Sequence, residues 1–113
     1  MNKNKIWSER EAETYQDTRI VKLTRRKANS GNSIELSFEK PKGFKHQKGQ
    51  YAILKLTNPK VIKLDLPYRW LPVVSATEEE NISFHIERDG SSFAKSCELL
   101  EADDKALIFG PIG

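Results

Sequence analysis

The sequence predicts a mainly all-β domain, a six-stranded antiparallel Greek-key barrel with one short helix before its last strand. Three observations carry that expectation. Apolar residues recur with period two in several short stretches bounded by Gly, Pro and Asn, which marks one-faced strands. The period changes once, near residue 91, to the spacing of a helix. A meander of such short strands would expose its edges unless it closed on itself.

The elements follow in chain order. Residues 1–17 are polar and mixed in charge, with only Ile6, Trp7 and Tyr15 as anchors, and read as an arm or a short helix laid on the domain. The barrel domain is expected over 18–113. In Thr18–Arg26, Val21 and Leu23 alternate with Lys22 and Thr24, giving a strand with one wet face. Asn29-Ser30-Gly31-Asn32 is a turn cluster, since Asn and Gly tolerate positive φ. Ser33–Glu39 then places Ile34, Leu36 and Phe38 on one face, completing a hairpin. Pro41-Lys42-Gly43 ends it. Tyr51–Thr57 is the third strand, with Ala52, Leu54 and Leu56 together, and Asn58-Pro59 breaks it. Lys60–Pro67 is an ambiguous loop.

Tyr68–Ser75 is the fourth strand. It opens with Arg69, runs through a nearly continuous apolar stretch and ends in the hydroxyl of Ser75. Such a run suits a strand with both faces covered, by protein or by a flat ligand. Pro72 removes a backbone donor, so the strand should lie at an edge or carry a bulge. Thr77–Asn81 is an acidic, solvated turn. Ile82–Arg88 is the fifth strand, with Ile82, Phe84 and Ile86 inside. Ser91 and Ser92 then open a helix whose apolar stripe is Phe93, Cys97 and Leu100, with Ala94 alongside. Ala106–Phe109 is the sixth strand, closed by Gly110-Pro111-Ile112-Gly113.

Composition bounds the function. With 113 residues the chain is one domain with one core of ordinary size. A net charge of +3, spread along the chain, permits an anionic ligand without pointing to nucleic acid. One cysteine, Cys97, excludes an intramolecular disulfide and a cysteine-based zinc site, and two histidines without ligand spacing argue against a metal. No apolar signal core and no bilayer-length run is present, so a soluble cytoplasmic protein without membrane partners is expected. No catalytic constellation stands out.

Taken together, Phe44…Lys48-Gly49-Gln50-Tyr51, then Arg69-x-x-x-x-x-Ser75, then Gly90-Ser91-Ser92, then Gly110-Pro111-Ile112-Gly113 resemble the flavin-binding domain of the ferredoxin–NADP reductase superfamily, over residues 18–113. In that family a segment similar to Gly-Gln-Tyr opens the third strand, and Arg-x-Tyr-Ser/Thr lies on the fourth. A glycine and a hydroxyl residue begin the only helix, and Gly-Pro-x-Gly ends the barrel. The resemblance implies FAD, with FMN as the other possible flavin. It implies that Arg69 pairs with the flavin phosphate through its planar fork of donors. Ser91, Ser92 and the amides that open the helix would hold the same anion, with Gly90 letting the backbone approach closely.

The chain departs from the pattern on the fourth strand. Leu71 stands where the flavin-facing aromatic is expected, and Pro72 where the hydroxyl is. Leucine can cover a ring face by contact alone, whereas proline has neither a hydroxyl nor an N–H to give. Trp70 should point to the other side of the strand. Asp103 stands where a helix-ending glycine is usual, a mild change because Asp tolerates the left-handed conformation. In the family a nicotinamide-binding domain follows Gly-Pro-x-Gly; these residues hold no dinucleotide fingerprint, so that half is expected on a separate chain, unless the barrel is a truncation or stands alone.

The same residues have plainer readings. Arg69 also reads as a barrel-mouth arginine paired to an Asp or Glu, Ser91 and Ser92 as helix caps, Trp70 as a core or edge tryptophan rather than one stacked on a ligand or partner, His85 as surface and Cys97 as packing. Three functions stay open. One is a flavin module passing electrons between a nicotinamide or other reductant and an electron-carrier protein. The second is a flavin-free barrel acting in protein binding or assembly, with a homodimer as one form of it. The third, an oligonucleotide-binding barrel, is disfavoured because Phe38 and Phe84 alternate into the core rather than outward for stacking.

Overall fold

The computed structural model describes residues 18–29, 31–47, 49–61 and 65–112. The expected N-terminal arm, Ser30, Lys48, residues 62–64 and Gly113 lie outside them. Six strands and one helix follow in order: β1 Thr18–Ala28, β2 Ser33–Glu39, β3 Tyr51–Leu56, β4 Tyr68–Pro72, β5 Asn81–Glu87, α1 Ser92–Glu98 and β6 Lys105–Ile112. The sheet order is β4-β3-β6-β1-β2-β5, and every pair is antiparallel. The last strand therefore returns between β3 and β1, the Greek-key crossover the sequence predicts. The result is a nearly closed barrel.

Alternation decides what faces the core. Ile34, Leu36 and Phe38 of β2 and Ile82, Phe84 and Ile86 of β5 are all buried, as are Ala52, Leu54 and Leu56 of β3. Phe38 and Phe84 meet edge to face, with ring centroids 6.2 Å apart, a favoured aromatic geometry. The helix lays Phe93, Ala94 and Cys97 onto this core, as its stripe requires. Ser91 caps it by accepting from the Ala94 amide at 3.1 Å.

Two irregularities let so small a sheet curl. In β1 the pairing to β2 shifts register between Leu23 and Arg25, leaving Thr24 as the extra residue, whose hydroxyl donates to Ser37 O. This strand continues two residues beyond the expected Arg26, because Lys27 and Ala28 still pair with β2. In β6, Tyr51 pairs with Ile112 while Ile53 pairs with Phe109, so the bulge falls at Gly110-Pro111. Gly110 has φ 142°, and a Cβ there would sit 3.2 Å from Tyr51 O and 3.3 Å from Ala52. It is the glycine that permits close backbone approach.

The fourth strand departs from expectation. It ends at Pro72 rather than running to Ser75, and it is not covered on both faces: Trp70 is 57% exposed. Proline offers no N–H to extend the ladder, and the strand is the last in the sheet order, as Pro72 predicts. Beyond it, consecutive amides point to opposite neighbours. Val73 N donates to Gln50 O, beside β3, and Val74 N donates to Ser83 O on β5, each at 3.0 Å. Ser75 continues the join by accepting from Ser83 N through its hydroxyl, while its carbonyl bonds His46 Nε2 at 2.8 Å. These bonds join the two end strands at one end of the seam. Toward Arg69, no ladder pairs β4 with β5 among the described residues.

Asp103 has φ 73°, the only non-glycine with positive φ among the described residues, and its amide donates to Leu23 O. Asp103→Gly should relieve the left-handed strain and raise stability by about 0.5–1 kcal/mol. A higher urea midpoint with an unchanged slope is the expected readout.

Candidate functional site

Because β4 and β5 separate above the Val74–Ser83 join, a cleft of about 160 Å³ opens between them and the entry to α1. Arg69 and Leu71 line it from β4, His85 and Glu87 from β5, and Asp89, Ser91 and Phe93 from the turn and helix. Arg69 and Leu71 share this face because they are two residues apart on a strand. Leu71 also packs against the core.

Of the seven residues the sequence singles out, the structure brings together Arg69, Leu71 and Ser91. Trp70 and Pro72 stand on the opposite face of β4, across from Ile53 and Tyr51 of β3. Gly90 enters the helix turn with φ 82°, yet an added Cβ would meet nothing within 4 Å. Its positive φ favours glycine whatever the surrounding space. Ser92 lies to the other side, in a second cavity of about 180 Å³ shared with Asp65, Leu66 and Phe93.

Both terminal nitrogens of Arg69 are engaged by the residues just before it. Nη1 donates to Leu66 O at 3.0 Å and Tyr68 O at 2.8 Å. Nη2 donates to both oxygens of Asp65, at 2.9 and 3.1 Å. The guanidinium also sits 4.7 Å over the Phe93 ring, a cation–π contact. Asp65 in turn accepts from Leu66 N and, at 2.8 Å, from Phe93 N in the first turn of α1. The Phe93 amide, followed by Arg69, holds the Asp65 carboxyl below its usual range. The Ser91 hydroxyl and amide do the same for Asp89, whose Oδ1 accepts from Ser91 N at 2.9 Å. Both acids are therefore ionised at neutral pH, and Glu87 and Asp89 set the charge facing the cleft once Asp65 has met Arg69.

Asp65, Phe93 and the acidic rim escaped the sequence reading. The signal for Asp65 was its place four residues before Arg69, but no helix joins the two, so helical spacing could not reveal the pair. His85 is exposed as expected, and it reaches the cleft rim while bonding Glu35 at 3.1 Å. Among the described residues no His, Cys, Asp and Glu cluster suits a metal, and no helix is long and apolar enough to cross a membrane.

Cys97 is buried on the core side of α1, and burial pushes its thiol up to about 12. The native protein should therefore resist iodoacetamide at pH 8 and react only when unfolded. Labelling of the native chain at the unfolded rate would contradict this packing.

Comparison with known proteins locates the fold. No protein-family model matches the chain. The chain is 29% identical over 104 residues to the respiratory burst oxidase homolog protein B of Arabidopsis thaliana, spanning 84% of this chain but only 12% of that protein. Among solved structures it is similar to a cytochrome P450 reductase from Amycolatopsis, with a TM-score of 0.67 at 16% identity, over 85% of this chain and 29% of that one. It is also similar to a siderophore utilization protein from T. fusca, with a TM-score of 0.65 at 12% identity, over 83% and 44% of the two chains. The cytochrome b5 reductase domain of Ulva prolifera nitrate reductase gives 0.61 at 16% identity, over 85% and 40%. The chain thus shares its barrel fold with part of each of these solved proteins, and it spans less than half the length of each of these relatives.

Proposed function

We propose that the barrel binds a flavin, FAD first and FMN second, in the cleft between β4, β5 and α1. It would serve as the flavin half of an oxidoreductase. The observation that carries this reading is the convergence of Arg69, Leu71 and Ser91 on one cleft at the seam of a reductase-type barrel. When bound, the flavin supplies the redox chemistry, moving electrons from a nicotinamide or other reductant to an electron-carrier protein. The chain's own residues bind and orient. Leu71 offers apolar surface for a ring to lie against, and Arg69 offers the cation for its phosphate. Pro72 faces away and has no donor, so no strand hydroxyl tunes the ring from that position.

Titration with FAD, FMN and riboflavin tests this. Saturable change in flavin fluorescence is expected, strongest with FAD. A protein that leaves all three flavins unaffected would sink the reading.

A second reading has its own support. Trp70 and Tyr51, 57% and 46% exposed, stand on the outward face of β3 and β4, a surface suited to a protein partner or a second copy. A flavin-blind protein whose sedimentation shows dimers would favour that assembly role.

A further inference from the structure

The anchor assigned to a ligand phosphate already holds an anion, the chain's own Asp65. Each terminal nitrogen of Arg69 carries two hydrogens. Those of Nη1 go to Leu66 O and Tyr68 O, while Nη2 faces both Asp65 oxygens. The Phe93 amide reaches the same carboxylate at 2.8 Å. Three groups, a loop acid, a strand arginine four residues on and a helix amide 28 residues from the acid, thus meet at one point.

Described residues before and after the acid are tied to the barrel. On one side Ser96 grips Val61 twice, accepting from Val61 N at 3.0 Å and donating to Val61 O at 3.3 Å. On the other, Leu56 N donates to Pro67 O at 2.8 Å. Ser96 is itself buried, so this clip on Val61 is part of the core packing.

We propose that Asp65 is a built-in competitor: it occupies the position on Arg69 that a ligand phosphate would take, and phosphate binds only by displacing it. This rests on the flavin reading for the identity of the natural ligand, but the competition belongs to the residues themselves. The consequence is a site that ignores weak phosphates and admits only a ligand whose remaining contacts, along Leu71 and the cleft, offset the loss of the Asp65 bonds. Protonation does not open it near neutrality, because Phe93 N–H and Arg69 keep the carboxylate ionised there.

The test uses the full chain and its Asp65→Ala, Asp65→Asn and Asp65→Ala/Arg69→Ala variants, with inorganic pyrophosphate as probe in calorimetry and FAD in a parallel fluorescence titration. Removing the competing charge should tighten pyrophosphate binding by about tenfold or more. Asp65→Asn, which keeps an acceptor for the Phe93 amide, should fall between wild type and Asp65→Ala, and it carries the test alone if the alanine variant does not fold. Loss of the gain when Arg69 is also removed assigns it to this pair. Pyrophosphate binding no tighter in either Asp65 variant than in wild type overturns the proposal, whatever FAD does. If both variants gain pyrophosphate affinity while no form takes up FAD, the competition stands and the flavin reading falls. If FAD binds every form equally and pyrophosphate affinity is unchanged, the flavin reading stands and the competition falls.

Discussion

Gly110→Val should destabilise the barrel by about 2–5 kcal/mol, combining a backbone conformation nearly closed to other residues with overpacking of a tight crossing. At φ 142° a side chain is strained whatever the surrounding space, and here the space is also missing. An added Cβ meets Tyr51 O at 3.2 Å and the Cα and Cβ of Ala52 at 3.3 Å. Ala52 is fully buried, so β3 cannot shift outward without moving Leu54 and the core behind it. The loss is a large part of the 5–15 kcal/mol that holds an ordinary domain together. A melting temperature lower by roughly 10 °C or more is the expected readout for a domain of this size. Gly110→Ala should show a smaller loss of the same sign. Wild-type stability in the valine variant would mean that the bulge is not built as described.

Arg69→Ala should lower FAD affinity by about a hundredfold or more, since a forked, charge-assisted contact to phosphate is lost. The barrel itself should survive. Arg69 lies at the open end of the seam and belongs to none of the packed core layers. Circular dichroism and thermal unfolding of the variant check the fold, and flavin fluorescence checks binding. Arg69→Lys should recover little, because an ammonium cannot span the fork's geometry. If FAD binds the alanine variant as well as the wild type, the phosphate is held elsewhere.

Much of the architecture was legible because its signals are short-ranged. Ile34, Leu36 and Phe38, or Ile82, Phe84 and Ile86, declare their face by alternation within seven residues, and the serine before Phe93 declares a helix start. The apolar run on β4 misled for a related reason. Its side chains divide between two faces, Leu71 and Val73 inward and Trp70 and Pro72 outward, and composition alone cannot say that the outward face is left bare. The candidate site was legible only through Arg69, Leu71 and Ser91. Asp65 acts through Phe93, 28 residues away, so nothing local marked that contact, and the helix stripe and the closing Gly-Pro-x-Gly named Phe93 and Gly110 without their distant partners. Even the plain reading of Arg69, an arginine paired to an acid, left its partner unnamed.

The seam between β4 and β5 has a mechanical consequence. A tube slit along part of its length keeps most of its resistance to bending but loses much of its resistance to twisting. In this barrel the amides of Val73 and Val74 act as the rivet where the slit stops, and among the described residues no ladder ties the lips carrying Leu71 and His85 to one another. A molecule gripping both lips would restore torsional stiffness to the whole cylinder, so occupancy of a small cleft would be felt as far away as the β1–β6 seam on the opposite wall.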